Sequence, residues 1–156
     1  MKLNRDFKEF LSLLNSNDVR YLVIGGYALG AHGHVRYTKD LDIWVDATQE
    51  NAAKVVQVLE RFGVESLSIS AADFLTPGLT LQLGYEPARI DLLTRVSGLE
   101  FDRTYSRRID TVLDGVPITL ICREDLRRNK LATGRLRDLG DVEALGFPIE
   151  QPNSKG

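Results

Sequence analysis

Asp40 and Asp42 flank a single leucine in KDLDIWV, at the opening of an apolar run. In an extended strand residues two apart project to the same side, so the two carboxylates point together, away from Leu41. Like charges held that close repel, and burying either one without a counter-charge is costly. A bridging cation, or a proton on one of them, resolves the conflict. Asp91 repeats the situation in ARIDLLT, as a lone acid inside a second apolar run. Three aspartates converging at strand ends suit Mg2+, a hard cation that takes oxygen ligands and completes its octahedron with waters and substrate phosphates. The plainer alternative for each aspartate is a cap on a strand or helix end, or a partner for an arginine.

Gly25-Gly26 supplies the second half of the chemistry. The pair closes the apolar run RYLVIGG just before a short helical stretch. Free backbone N–H groups and the helix dipole favour an anion there, and glycines let phosphate oxygens approach the backbone closely. This is not a P-loop, because no G-x-x-x-x-G-K-[ST] occurs. Alone the glycines say little. Beside the aspartates they complete a division of labour, one element gripping a triphosphate and the other the metals that bridge it.

The elements that must position these residues follow from periodicity. Leu3, Phe7, Phe10, Leu11 and Leu14 recur at helical spacing and predict an amphipathic helix over 3–15. RYLVIGG reads as a buried strand, 27–33 as one or two helical turns closed by Gly33, and LDIWVD as a second strand with Trp44 in the core. TQENAAKVVQVLERFG is a helix with Thr48 as its N-cap and Gly63 just past its end. LTLQLGY and ARIDLLTRV pair around Glu86-Pro87, and Asp114-Gly115 marks a tight hairpin in RIDTVLDGVPITLI. Two helices broken near Gly134 finish the fold. Strands interleaved with helices and hairpins predict an α/β (α+β) domain, a mixed sheet with helices packed on it. One domain is expected over 1–150, with 151–156 as a disordered tail.

Composition narrows the class. Of 156 residues, 43% are hydrophobic and 27% charged, as in an ordinary globular protein, and the formal charge of −2 argues against a dedicated nucleic-acid coat. The charge is uneven: from Arg103 to Arg137 nine Arg or Lys face four Asp or Glu. The single cysteine, Cys122, sits in an apolar run as inert packing and suits a reducing cytoplasm. No signal peptide, apolar run of 18 residues or internal repeat is present, so no membrane role is expected.

Together these residues resemble the DNA-polymerase-β-like nucleotidyltransferase superfamily. Its pattern is an apolar residue, Gly, Gly or Ser, a spacer, Asp-x-Asp between apolar residues, and a third strand acid. Here that is Ile24, Gly25, Gly26, thirteen residues (27–39), Asp40-Leu41-Asp42, and Ile90-Asp91-Leu92. Arg36, Thr38, Asp40 and Asp42 match the Arg-x-Thr-x-Asp-x-Asp of the small bacterial group that includes AbiEii and MenT toxin-like proteins. Lys130, Arg135, Asp138 and Asp141 match that group's late lysine and basic-Asp-x-x-Asp stretch. The likeness runs from Tyr21 to Leu145. Within these 156 residues no counterpart is expected of the large helical domain that many relatives use to hold an acceptor, so the expected fold is a minimal nucleotidyltransferase fold with a short C-terminal helical segment.

The resemblance implies catalytic and metal-binding roles for Asp40, Asp42 and Asp91, with two Mg2+ ions, or Mn2+ in their place. It implies nucleotide contacts from Gly25, Gly26, Arg36, Thr38, Lys130 and Asp138. Each of these has a plainer reading. Arg36 is otherwise a salt bridge to Asp40 or Asp42, Thr38 a turn residue, Lys130 a surface lysine, and Asp138 a partner of Arg135. His32 and His34 read as packing or base-contacting residues. The implied reaction moves an NMP from an NTP to a hydroxyl acceptor and releases pyrophosphate. The acceptor is tRNA or another RNA, for which the basic stretch around Arg107, Arg108, Arg127 and Arg128 speaks, or else a small hydroxylated molecule such as an aminoglycoside or lincosamide. A cognate antitoxin, or a second copy of the chain in a homodimer, is the further partner expected. Some relatives have lost activity and act as nucleotide-binding or antitoxin-like partners; three retained aspartates favour an enzyme.

Overall fold

A computed structural model describes residues 1–34, 38–64, 69–85 and 88–146, apart from the side chains of Leu136 and Arg137. The Glu86-Pro87 turn, Arg36 and the predicted tail 151–156 lie outside the described residues. Helix α1 (Arg5–Ser16) starts two residues later than the apolar spacing suggests, because Asn4 caps it by accepting from Phe7 N at 2.8 Å. It buries Phe7, Phe10, Leu11 and Leu14. Strand β1 (Tyr21–Ile24) is buried throughout and runs straight into helix α2 (Gly25–Ala31). The glycine pair therefore opens the helix, where the sequence reading had it close the strand.

Strand β2 (Leu41–Val45) alternates as expected. Leu41, Ile43 and Val45 are fully buried on one side, while Asp42 shares the other with Trp44. Helix α3 (Gln49–Phe62) has the predicted Thr48 and Gly63 caps. A 3-10 helix (Ala71–Leu75) leads to the hairpin of β3 (Thr80–Leu83) and β4 (Ile90–Leu93). Helix α4 (Phe101–Ser106) then lays Phe101 edge-on to Trp44, with ring centroids 5.1 Å apart. Neither the 3-10 helix nor α4 was expected. At five and six residues they are too short for apolar periodicity to register.

Strands β5 (Ile109–Leu113) and β6 (Val116–Leu120) form the second hairpin. Asp114 and Gly115 both take positive φ, 48° and 82°, as a two-residue turn matched to strand twist requires. Asp114 also accepts from Leu3 N at 2.8 Å, tying the hairpin to the start of the chain. Helices α5 (Arg123–Thr133) and α6 (Leu136–Gly146) follow, separated at Gly134. The sheet order is β3-β4-β2-β1-β6-β5. Pairings β1–β2, β3–β4 and β5–β6 are antiparallel, and β2–β4 and β1–β6 parallel, so the sheet is mixed as predicted. No helix among the described residues is long and apolar enough to cross a membrane.

Candidate active site

The parallel register of β2 and β4 sets Asp42 directly beside Asp91, and the antiparallel register of β1 and β2 sets Ile24, the last residue before the glycines, beside Asp42. The end of β1, the starts of β2 and β4 and the head of α2 thus meet at one sheet end. Gly25 sits at φ +71°, and a Cβ there would overlap the Asp42 carboxylate. A Cβ on Gly26 would come 2.5 Å from Thr38 Oγ1. The two glycines make room for one predicted site residue each.

Arg89, which the sequence reading passed over, lies across the acids. Its Nε donates to Asp91 Oδ1 at 2.8 Å, and its Nη2 donates to Asp91 Oδ2 at 3.1 Å and to Asp40 Oδ2 at 3.0 Å. The signal was available in ARIDLLT, where Arg89 stands two residues before Asp91 and so shares its side of the chain. Asp42 takes no bond from Arg89. Burial pushes its carboxyl up to about 7, helped by the charges of Asp91 and Asp40 and a hydrogen bond shared with Asp91, and Lys130 offsets only part of this.

The donor set is chemically right for Mg2+, three carboxylates with hard oxygens. The Arg89 guanidinium between Asp40 and Asp91 stands where a cation is needed. Among the described residues, no group of three His, Cys, Asp or Glu side chains is arranged to hold a metal ion as it stands. A metal held by all three acids would displace Arg89 from Asp40 and Asp91 and favour the charged form of Asp42.

Lys130 is buried, at 5% exposure, which corrects its reading as a surface lysine. Its Nζ lies 3.1 Å from Asp138 Oδ1 and 3.0 Å from Asp141 Oδ2, and these bonds clamp α5 to α6. Asp138 also accepts from Thr133 Oγ1 and Arg135 Nε, both at 2.6 Å. Burial alone would raise the Asp138 carboxyl, but the bonds from Thr133, Arg135 and Lys130 together bring it down to about 2. The plainer reading of Asp138, a partner of Arg135, is present, and Lys130 pairs with it as well.

A cleft of about 370 Å³ opens over these groups, lined by Asp40, Asp42, Arg89 and Asp91 on the sheet and by Asn129 and Thr133 of α5. The two histidines are not among the residues that line it and make packing contacts elsewhere. His32 Nε2 bonds Ile121 O at 2.8 Å, and Arg123 Nη2 donates to His34 Nε2 at 3.0 Å. Cys122 is the N-cap residue of α5; its thiol donates to Asp125 at 3.3 Å and is pushed up by burial, which suits inert packing.

Three solved structures share the fold. The Thermotoga maritima protein TM1012, assigned as a nucleotidyltransferase, superposes with a TM-score of 0.59 at 14% identity, over 90% of this chain and 89% of that one. The antibiotic-resistance factor ANT(2'')-Ia gives 0.58 at 10% identity, over 90% and 80%. The lincosamide antibiotic adenylyltransferase LnuA, solved with lincomycin bound, gives 0.53 at 16% identity, over 92% and 96%. No curated protein matches the sequence. Residues 1–148 match the family described as "Nucleotidyltransferase of unknown function (DUF6036)", and the chain belongs to that family.

Proposed function

We propose that the chain is a Mg2+-dependent enzyme that transfers an NMP from an NTP to a hydroxyl of an RNA, tRNA among the candidates, and releases pyrophosphate. The observation that carries this reading is the register that sets Asp42 beside Asp91, with Asp40 two residues away and Gly25 packed on Asp42. Asp40, Asp42 and Asp91 would hold the Mg2+ ions, which when bound neutralise the triphosphate and acidify the attacking hydroxyl. Gly25, Gly26 and Thr38 face the phosphates, with Arg36, Lys130 and Asp138 completing the nucleotide contacts. The acceptor oxygen attacks the α-phosphorus in line. A new P–O bond forms, the bond to the β-phosphate's bridging oxygen breaks, and pyrophosphate leaves. Asp91 takes the hydroxyl proton once Arg89 has moved off it.

RNA is favoured over an antibiotic by charge. A cationic aminoglycoside calls for acidic walls, whereas the surface beyond the cleft is rich in arginine. The likeness of Arg36-x-Thr38-x-Asp40-x-Asp42 to the AbiEii and MenT-like group points the same way. One observation favours a second reading, a non-catalytic nucleotide-binding or antitoxin-like partner: Arg89 already compensates Asp40 and Asp91 without a metal. Incubation with Mg2+ and each α-labelled NTP, with and without total tRNA, separates these. Label on RNA supports the proposal, label on an added aminoglycoside or lincosamide replaces the acceptor, and no label on any acceptor supports the second reading.

A further inference from the structure

A second and larger cavity, about 900 Å³, adjoins the carboxylate cleft, and the consecutive residues Arg95, Val96 and Ser97 line both. Four arginines, Arg95, Arg103, Arg107 and Arg128, stand on its walls against one carboxylate, Glu100. Two are fixed from behind. The fully buried Asp125 accepts from Arg107 Nε at 3.0 Å and Nη2 at 2.8 Å, and from Arg128 Nη1 at 2.9 Å. Burial alone would raise the Asp125 carboxyl, but the bonds from Arg107, Cys122 and Arg128 outweigh it, so the acid stays charged and holds both guanidinia. The other two, Arg95 and Arg103, are exposed and make no ion pair among the described residues. The loop before α4 packs tightly on α5: a Cβ on Gly98 would come 2.7 Å from Ala132 Cβ.

This arrangement has the marks of an anion site. Arginine's fork suits phosphate oxygens, and two unpaired guanidinia beside two anchored ones leave a surplus of positive charge in a concave wall. The volume is that of a large small-molecule pocket, more than one inorganic anion fills. No aromatic ring lines it among the described residues, so it lacks the aromatic platform on which bases usually stack.

We propose that this cavity binds backbone phosphates of the acceptor RNA strand, delivering its terminal hydroxyl across Arg95–Ser97 into the carboxylate cleft. The inference rests on the RNA reading above and adds where, and by which residues, the acceptor is held. Recognition is by phosphate and not by base, so it is indifferent to sequence.

The test uses the full chain and 5′-fluorescein-labelled single-stranded A6 and U6 ribonucleotides, followed by fluorescence anisotropy between about 50 and 200 mM KCl. Arg103→Ala and Arg103→Glu are the variants, since Arg103 lines only the larger cavity and its exposure leaves the fold intact. The wild type is expected to bind A6 and U6 alike. Arg103→Ala should weaken binding about fivefold to tenfold and Arg103→Glu further, with the slope of log K against log[salt] reduced by about 0.7. The melting shift given by Mg-NTP should be the same in both variants as in the wild type. Wild-type-like RNA affinity in Arg103→Glu, no RNA binding by the wild type, or loss of the Mg-NTP shift in place of RNA affinity would each overturn the proposal. RNA binding that depends on Arg103 in a protein with no Mg-NTP shift would uphold the phosphate site while removing the transfer reading.

Discussion

The charge on Asp42 is poorly compensated without metal. Its carboxyl is held near 7 by burial first, then by Asp91 and Asp40. A carboxylate raised in the native state favours folding while protonated, and that contribution is lost as pH rises from the ordinary carboxylate range through about 7. Asp42→Asn keeps the shape without the charge. It should melt with the wild type near pH 4 and above it by pH 8, as read by thermal unfolding at both pH values without divalent ions. A variant that melts lower at both would mark Asp42 as a structural cap. Gly25 makes a sharper steric case. At φ +71°, with Asp42 against it, Gly25→Ala should cost more than about 1 kcal/mol from the backbone alone. It should also displace the carboxylate, so a urea titration and a Mg-NTP melting shift should both register the change. Gly26 has no positive φ, and the nearest atoms that Gly26→Val would meet are those of Thr38.

The two helices after Arg123 are joined through a buried charge cluster. Lys130 to methionine removes the cation shared by Asp138 and Asp141. Breaking a buried pair costs about 3–5 kcal/mol, and the low end applies because Asp138 keeps its bonds from Thr133 and Arg135. A loss near 3 kcal/mol in urea unfolding is the expected result; no loss would mean the clamp is solvated. How far these elements could be read in advance depended on where the information lay. The strands, α3 with its caps and the Asp114-Gly115 hairpin follow from local pattern. So does the same-side placement of Asp40 and Asp42. The contact of Asp42 with Asp91 is a matter of strand register, which no local pattern states, and α4 and the 3-10 helix are too short to show a period. Arg89 was legible by the rule used for the aspartates but needed β4 beside β2 to reach Asp40. Burial of Lys130 depended on how α6 folds back on α5.

At the scale of the whole molecule, a sheet end carrying three acids meets a wall carrying four arginines, and the net charge of −2 hides the separation. Positive charge read along the chain singled out Arg107, Arg108, Arg127 and Arg128, but the fold assigns them differently. Arg107 and Arg128 hold the buried Asp125, and Arg108 pairs with Asp110 at 3.6 Å and lies over Tyr105. Replacing all four would strand Asp125, so loss of transfer in that variant would report unfolding as well as RNA contact. Transfer to RNA by the intact protein should instead fall steeply between about 50 and 200 mM salt as counterion release weakens. A flat salt profile would point to an uncharged acceptor. The central claim, that Asp40, Asp42 and Asp91 hold Mg-NTP, is tested most directly by melting the wild type and Asp42→Asn with Mg2+ and each NTP at pH 8. A ligand confined to the native state adds about 2.7 kcal/mol at a hundredfold excess over Kd. The account predicts an upward shift in the wild type that needs both Mg2+ and nucleotide and is absent in Asp42→Asn; no shift with any of the NTPs, or an equal shift in the variant, would contradict it.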